Sequence, residues 1–333
     1  MLSTRSSMIA IIDSCTDPYI NLAAEEHLLE NFNRPVFRLW RNAPSIIIGR
    51  NQNAFAEINL DFVGEHSIPV VRRLSGGGAV FHDLGNINFT FIDTREGNED
   101  TLAMFARFTA PIIKALDNMG INAVLSGRND ITIDGQKISG NAIYLGKNRV
   151  LQHGTLLFDA SMEHLSGALK SRPEKFTGKA VQSVRSRVTN IRSHLAHDMD
   201  VQQFMDYLGK SVAEEAEKYS YSANDKAAIE ALANRRYRTD EWNYGHSPTY
   251  NFSRTIKFPS GLIELYLTVT KGVIQKIDIH GDYFFTRPTT DFCQAIEGCP
   301  HTKEEITRRI NELPTSDFFN GATAEELVPL FFI

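Results

Sequence analysis

Arg72–Asp83 reads R-R-L-S-G-G-G-A-V-F-H-D. The pair Val70-Val71 ends a strand-like segment before it, and N-I-N-F-T-F-I (Asn86–Ile92) alternates at period two after it. The glycine run therefore joins two strands. Three successive glycines let a backbone approach a ligand closely and turn several N–H groups toward one point. Such a nest suits phosphate or carboxylate oxygens, and Arg72 and Arg73 add fixed charge and bidentate donors. The stretch lacks the G-K-[ST] of a P-loop, and no strongly periodic helix follows it as a dinucleotide fingerprint requires. Glycines alone divide evenly between a solvated hairpin and a site. The arginine pair and the apolar Ala79-Val80-Phe81 favour a site with a polar end for an anion and an apolar wall for a chain.

A second feature lies further along. Asp134-Gly135 between I-T-I and Q-K-I predicts a tight hairpin, because both turn positions need positive φ. It carries Lys137 beside Ser139-Gly140. One lysine on a strand is usually solvated. Here it follows a Gly127-Arg128 turn on a rigid element, where a lysine can neutralise a phosphate or carboxylate during acyl transfer to phosphorus. Asp130 suits a magnesium ion, a ribose or adenine donor, or a turn cap, and these stay open. His153, in Q-H-G-T-L-L, and His82 suit a base. The hydrogen-bonded structural role is the commoner one for both.

The remaining pattern predicts an α+β chain. Met8–Ile12 reads as a strand, and Asp17-Pro18 opens a helix running to about Asn31. Val36–Trp40 and Ser45–Ile48 read as strands across Asn42-Ala43-Pro44. Asn86–Ile92 reads as a half-buried strand. Thr101–Met119 reads as a helix closed by Gly120. Asn141–Leu145 and Val150–Phe158 read as strands around Gly146-Lys147-Asn148. Lys170–Arg192 carries seven basic residues against Glu174 and has no period, which predicts a long, basic, mobile loop. Val201–Tyr219 and Ala223–Ala233 read as helices, and Trp242–Pro248 as a linker. Ile263–Val269 and Val273–Ile279 form a hairpin about Gly272. Thr302–Glu312 reads as a helix with a capping box to Glu305. The last third is thus a small α+β unit.

Composition narrows the function classes. With 333 residues the chain has room for a large domain and a smaller one. A net charge of -5 argues against a globally basic nucleic-acid binder. Three cysteines (Cys15, Cys293 and Cys299) are too few and too odd for a disulfide framework. No apolar run is long enough to span a bilayer, and no secretory h-region stands at the N-terminus. A cytoplasmic protein is expected, with a short organellar leader left open.

Five ordered segments resemble the lipoate–protein ligase A family of the biotin/lipoate ligase superfamily. They are Arg72–Asn86, S-G-R-N-D at Ser126–Asp130, D-G-Q-K-I-S-G-N-A at Asp134–Ala142, H-G-T-L-L at His153–Leu157, and S-V-R-S-R-V-T-N at Ser183–Asn190. The resemblance covers about Asp13–Asn190. The C-terminal third has the size of the family's accessory domain. Leu74 departs from the pattern, standing where a third basic residue is expected.

The resemblance implies a biotin-ligase-like catalytic domain over residues 1–245, with a mixed sheet and flanking helices. A small accessory domain would occupy 250–333. It implies ATP-dependent ligation of lipoate to a carrier lysine through lipoyl-AMP, with ATP and Mg2+ as co-substrate. Lys137 would be catalytic and contact both substrates. Arg73, Gly78, Ala79, Val80, Phe81, Asn129 and Asp130 would contact the nucleotide. Arg72, Ser75, Gly76, Gly77 and His82 would line the lipoate end, and Val80, Phe81 and Phe89 would wall the chain. Lys179, Arg185 and Arg187 would belong to an adenylate-binding loop. The implied partners are apo lipoyl domains of 2-oxoacid dehydrogenase E2 subunits and the glycine cleavage H protein, with no nucleic acid or membrane.

Three rivals follow. An acyltransferase of the same fold moves lipoyl or octanoyl groups from a pre-formed donor and commonly uses a cysteine. No cysteine occurs from Asp17 through Asp291, which weighs against that form. A biotin ligase shares the chemistry, but its arginine-glycine repeat is replaced here by L-S-G-G-G-A-V. A non-catalytic lipoyl-binding protein would bind without consuming ATP.

Overall fold

The computed structural model describes residues 8–332 apart from 53, 55–57, 59, 96–98, 128, 162–187, 245–251, 259–260 and 271. Its strands are β1 (Ile9–Ile12), β2 (Val36–Trp40), β3 (Ser45–Ile48), β4 (Val70–Arg72), β5 (Val80–His82), β6 (Asn86–Thr94) and β7 (Ala123–Ser126). They continue with β8 (Asp130–Ile133), β9 (Gln136–Leu145), β10 (Arg149–Leu157), β11 (Glu217–Lys218), β12 (Phe252–Phe258), β13 (Gly261–Thr270) and β14 (Val273–Gly281). The main sheet runs β11-β1-β2-β6-β10-β9-β8-β7. β1 is parallel to β2 and to β11, and the other pairs are antiparallel, so the sheet is mixed as expected.

Helices cover both faces, and the alternation of β1 shows how. Met8 and Ala10 join a core with Phe105 and Phe108 of the helix Thr101–Asp117 and Phe204 of the helix Val201–Ala213. Ile9 and Ile11 turn the other way, onto Leu28 and Leu29 of the helix Pro18–Asn31. That helix starts where predicted, because the Asp17 carboxylate accepts from the amides of Tyr19 and Ile20. Asp134 and Gly135 take φ of 50° and 78°, as the tight hairpin requires.

Covering both faces corrects one expectation. β6 is buried along eight of its nine residues rather than half-exposed. Its alternation separates two kinds of interior. Ile87, Phe89 and Phe91 enter the apolar core, while Trp40 donates to Thr90, which donates to Glu25 on the opposite face. The polar period marks an internal polar face rather than solvent.

A second sheet, β4-β3-β5, holds the glycine loop. β3 is parallel to β4 and antiparallel to β5. The turn at Asn42-Ala43-Pro44 therefore passes the chain from one sheet to the other instead of closing a hairpin. The small unit is the meander β12-β13-β14 with the helices Thr289–Ile296 and Lys303–Asn311 around its own core. Thr302 accepts from the Glu305 amide; the Glu305 side chain pairs with Arg308 and Arg309 instead of closing the capping box.

Two further readings are corrected. The helix from Val201 stops at Ala213, and Glu217–Lys218 pair with β1 as an edge strand. The segment read as a linker from Trp242 is partly helical, since Asp240–Tyr244 forms a helix whose Trp242 indole donates to the Arg72 carbonyl at 2.8 Å. Residues 245–248 lie outside the described residues.

Candidate active site

A cavity of about 290 Å³ lies between the main sheet, the glycine loop and Asp282–Phe284 of the small unit. Arg73, Gly77, Gly78, Ala79, Val80, His82, Asn129, Asp130, Lys137 and His153 line it, so most of the sequence-selected residues converge here. The cavity also takes Trp40, Ile47 and Ala142, which make one side apolar.

Lys137 reaches the cavity through a bulge. Ile131 faces Ser139 and Thr132 faces Lys137, so Ile138 is an extra residue and is fully buried. The lysine Nζ lies 2.8 Å from Asp130 Oδ1, with both side chains a little over one-third exposed. A Cβ at Gly140 would sit 2.9 Å from that Nζ, so glycine there gives the lysine room to lie across its own strand. Asn129 and Asn141 hold the neighbouring turn reciprocally. Asn129 Nδ2 donates to the Asn141 carbonyl at 2.6 Å, and Asn141 Nδ2 donates to the Asn129 carbonyl at 2.9 Å.

Arg73 organises the glycine loop. Its guanidinium donates to the carbonyls of Gly76 (2.7 Å), Gly78 (2.8 Å) and Ile47 (3.2 Å) and to Ser75 Oγ (3.1 Å). Burial pulls its pKa down to about 10, which still leaves a cation at neutral pH. The loop is tied to the main sheet by Ser75 Oγ against His153 Nε2 at 2.6 Å, with His153 Nδ1 2.9 Å from Glu25 Oε2. Ser75 is fully buried and does not line the cavity, so this carboxylate–imidazole–hydroxyl line positions the loop and presents no nucleophile.

His82 has a readable tautomer. Arg38 donates to Asn21 Oδ1 (2.5 Å), Asn21 Nδ2 donates to Asn42 Oδ1 (2.9 Å), and Asn42 Nδ2 donates to His82 Nδ1 (3.1 Å). Nδ1 is thus an acceptor and Nε2 carries the proton, and among the described residues Nε2 has no partner. A neutral imidazole therefore offers one N–H at the cavity. Burial, helped by the charge of Arg73, lowers its pKa to about 3. Between pH 6.5 and 3 the unfolded chain takes up a proton here that the folded chain refuses. Stability present above pH 6.5 is therefore lost as pH falls toward 3, at up to about 1.4 kcal/mol per pH unit. His82→Gln is expected to flatten thermal stability against pH across that window; parallel profiles for variant and parent would refute the assignment.

Besides Ser75, four expected contacts are not at the cavity. Successive strand residues point to opposite faces, so Arg72 and Arg73 cannot share one. Arg72 turns away and donates to the carbonyls of Gly49, Arg50, Gln52, Trp242 and Asn243. On β5, Val80 and His82 face the cavity while Phe81 packs with Ile46, Ile48 and Val70. Gly76 faces the small unit, where a Cβ would meet the Tyr283 carbonyl. Phe89 is core. Lys179, Arg185 and Arg187 lie outside the described residues. The ends of their segment are described: Asn190 Nδ2 and Oδ1 bind the carbonyl and amide of Ala160, and the Thr189 amide donates to the Lys137 carbonyl at 3.0 Å. None of the three cysteines lines the cavity.

Residues 17–213 match the catalytic domain of lipoyl protein ligases A and B, and residues 247–331 match the bacterial lipoate–protein ligase C-terminus. This chain belongs to the lipoate–protein ligase family. It is 41% identical to lipoate–protein ligase 1 of Staphylococcus aureus, over 96% of this chain and 98% of that protein. The structure of P. falciparum LipL1 in complex with lipoate superposes with a TM-score of 0.77 at 28% identity, covering 92% of this chain and 94% of the other. That of lipoate–protein ligase A bound with ATP gives 0.62 at 26% identity, covering 72% and 98%.

Sequence reasoning missed several residues at this site of the lipoate ligase fold. Glu25 is 2% exposed and anchors His153. The signal was available, since Glu25-Glu26 interrupts the apolar run N-L-A-A-E-E-H-L-L with adjacent carboxylates. Both are buried and bonded, Glu26 to Tyr237 and Arg236. Gly49, Asp282 and Phe284 had no local signal, because each acts through a contact remote in sequence.

Proposed function

We propose that this enzyme joins lipoate to the lysine of a lipoyl carrier domain at the expense of ATP, through lipoyl-AMP. One observation carries the reading: Arg73 and Lys137 reach the same cavity from two sheets, opposite an apolar wall of Trp40, Ile47, Val80 and Ala142. In the first step a lipoate carboxylate oxygen attacks the α-phosphorus, the bond to the bridging oxygen breaks, and pyrophosphate leaves. Lys137 and Arg73 offset charge developing on phosphoryl oxygens, with the amides of Gly77–Val80 beside them. The His82 N–H and Asn88 Nδ2, both buried and without a partner among the described residues, serve as donors to the bound acyl group. In the second step the carrier amine attacks the acyl carbonyl, loses a proton, and AMP departs.

Among the described residues no cluster of three potential metal ligands exists. Mg2+ would arrive on the triphosphate with its waters; Asp130, paired with Lys137, and Asp282 are the carboxylates that line the cavity. Residues 1–245 form the proposed catalytic domain and 250–333 the accessory domain. Residues 179–187 form the proposed adenylate loop, supported by the strand-like pairing of Val188 with Lys137 at its end. The proposed carriers are lipoyl domains of E2 subunits and the H protein, and the proposed compartment is the cytoplasm. Among the described residues no helix is long and apolar enough to cross a membrane.

The test is the intact mass of an apo lipoyl domain after incubation with enzyme, lipoate and Mg-ATP. A lipoyl adduct requiring both small molecules is expected. An adduct formed only from synthetic lipoyl-AMP would make the protein a transferase, and none from either would sink the proposal.

A further inference from the structure

A second cavity, of about 490 Å³, lies where the small unit meets the large one. It opens behind the glycine loop, on the face toward which Arg72 turns. Four guanidinium groups line it (Arg50, Arg72, Arg235 and Arg236) against the carboxylates of Glu241 and Asp278. Asp278 is already paired with Lys276 at 3.2 Å, Arg236 with Glu26, and Arg72 spends its donors on carbonyls. Arg50 lies over the Trp242 ring at 4.2 Å, with Arg236 at 5.0 Å from the same ring. Among the described residues, the guanidinium groups of Arg50 and Arg235 have neither an ion pair nor a hydrogen bond.

The neutral groups carry the same polarity. Gln52 is 1% exposed, and its Oε1 accepts from the Gly49 amide at 2.8 Å. That bond fixes the orientation of the side-chain amide. Its Nε2 is then the donor end, and among the described residues it has no partner; Asn51 Nδ2 has none either. A buried donor left unpaired costs free energy that an acceptor in the cavity would recover. Unpaired donors and unpaired cations in one cleft specify an oxyanion with several acceptor oxygens.

We propose that this cavity binds a phosphate-bearing small anion, separately from the lipoate and ATP cavity, and that the bound anion fastens the small unit to the large one. The anion touches Arg50–Gln52 and Arg235 on one side and the wall around Thr289–Cys293 on the other. Its free energy of binding therefore adds to the stability of the joined arrangement.

Inorganic pyrophosphate, without magnesium, is the probe. It is titrated calorimetrically into the full-length Lys137→Ala protein, which weakens binding at the first cavity, and into the same protein carrying Arg50→Gln and Arg235→Gln. One site is expected in the first protein, weakened at least tenfold by the added substitutions and by raised salt. AMP is titrated in competition. Competition assigns the site to a nucleotide's phosphate, and its absence to a free phosphate chain. Matched melting temperatures without anion verify that both proteins are folded, and pyrophosphate is expected to raise only that of the protein keeping both arginines. No pyrophosphate binding to the Lys137→Ala protein, or equal binding by both proteins, overturns the proposal.

Discussion

Lys137→Ala is expected to slow formation of lipoyl-AMP by about 10²–10³-fold, the effect of removing one donor aimed at developing charge. The lysine sits on a strand rather than a loop, and the extra residue Ile138 is locked in the core beside it. Among the described residues its Nζ has one carboxylate neighbour, Asp130, and both groups are partly solvated. An exposed pair of this kind contributes ~0–1 kcal/mol to stability. The substitution should therefore leave the melting temperature nearly unchanged while removing the cation that a carboxylate and a phosphate approaching each other both require. Single-turnover release of pyrophosphate measures the adenylation step. Aminolysis of synthetic lipoyl-AMP measures transfer, which should suffer less because no second anion is being brought in. Full adenylation activity in Lys137→Ala would remove the central assignment, and a large loss of stability would make the residue structural.

The lysine and the glycine loop were legible because their chemistry is local. A tight hairpin needs Asp-Gly in place, and Asp134 and Gly135 adopt the positive φ that the dipeptide predicts. The arginine pair was half legible. Strand alternation fixes that Arg72 and Arg73 face opposite ways, but which one lines the cavity depends on where Trp242 and Asn243 return, some 170 residues later. The three glycines look in sequence like one nest, yet they divide their work. Gly77 and Gly78 line the cavity, while Gly76 admits the backbone of Tyr283 from the small unit. The period of β6 is legible but its surroundings are not, because a polar face inside a protein and one in water share the same alternation. The Glu25–His153–Ser75 line spans three separated segments and leaves no spacing to find.

Gly49→Ala should then disable the site from a position that carries no chemistry. Gly49 follows β3, and its missing side chain is where the Gly77 carbonyl lies; a Cβ would overlap that oxygen and come within 3.3 Å of an Arg73 guanidinium nitrogen. The obstructing atom is backbone, so no rotamer change relieves it. The glycine loop must move, and Arg73 must release at least one of the carbonyls at Gly76 and Gly78 that it now spans. Overpacking of this kind costs about 1–3 kcal/mol. A displacement near 1 Å of a positioning group costs roughly 10²-fold in rate. The expected result is a folded protein, somewhat lower in melting temperature, whose adenylation rate falls by about 10²-fold. Gly120→Ala is the matched control. It introduces strain at a φ of 79° but meets no atom within 4 Å and lies beyond the helix Thr101–Asp117. It should lose a similar amount of stability and keep its activity. If Gly49→Ala and Gly120→Ala lose activity only in proportion to stability, the seam between β3 and the glycine loop does not set the geometry of the site.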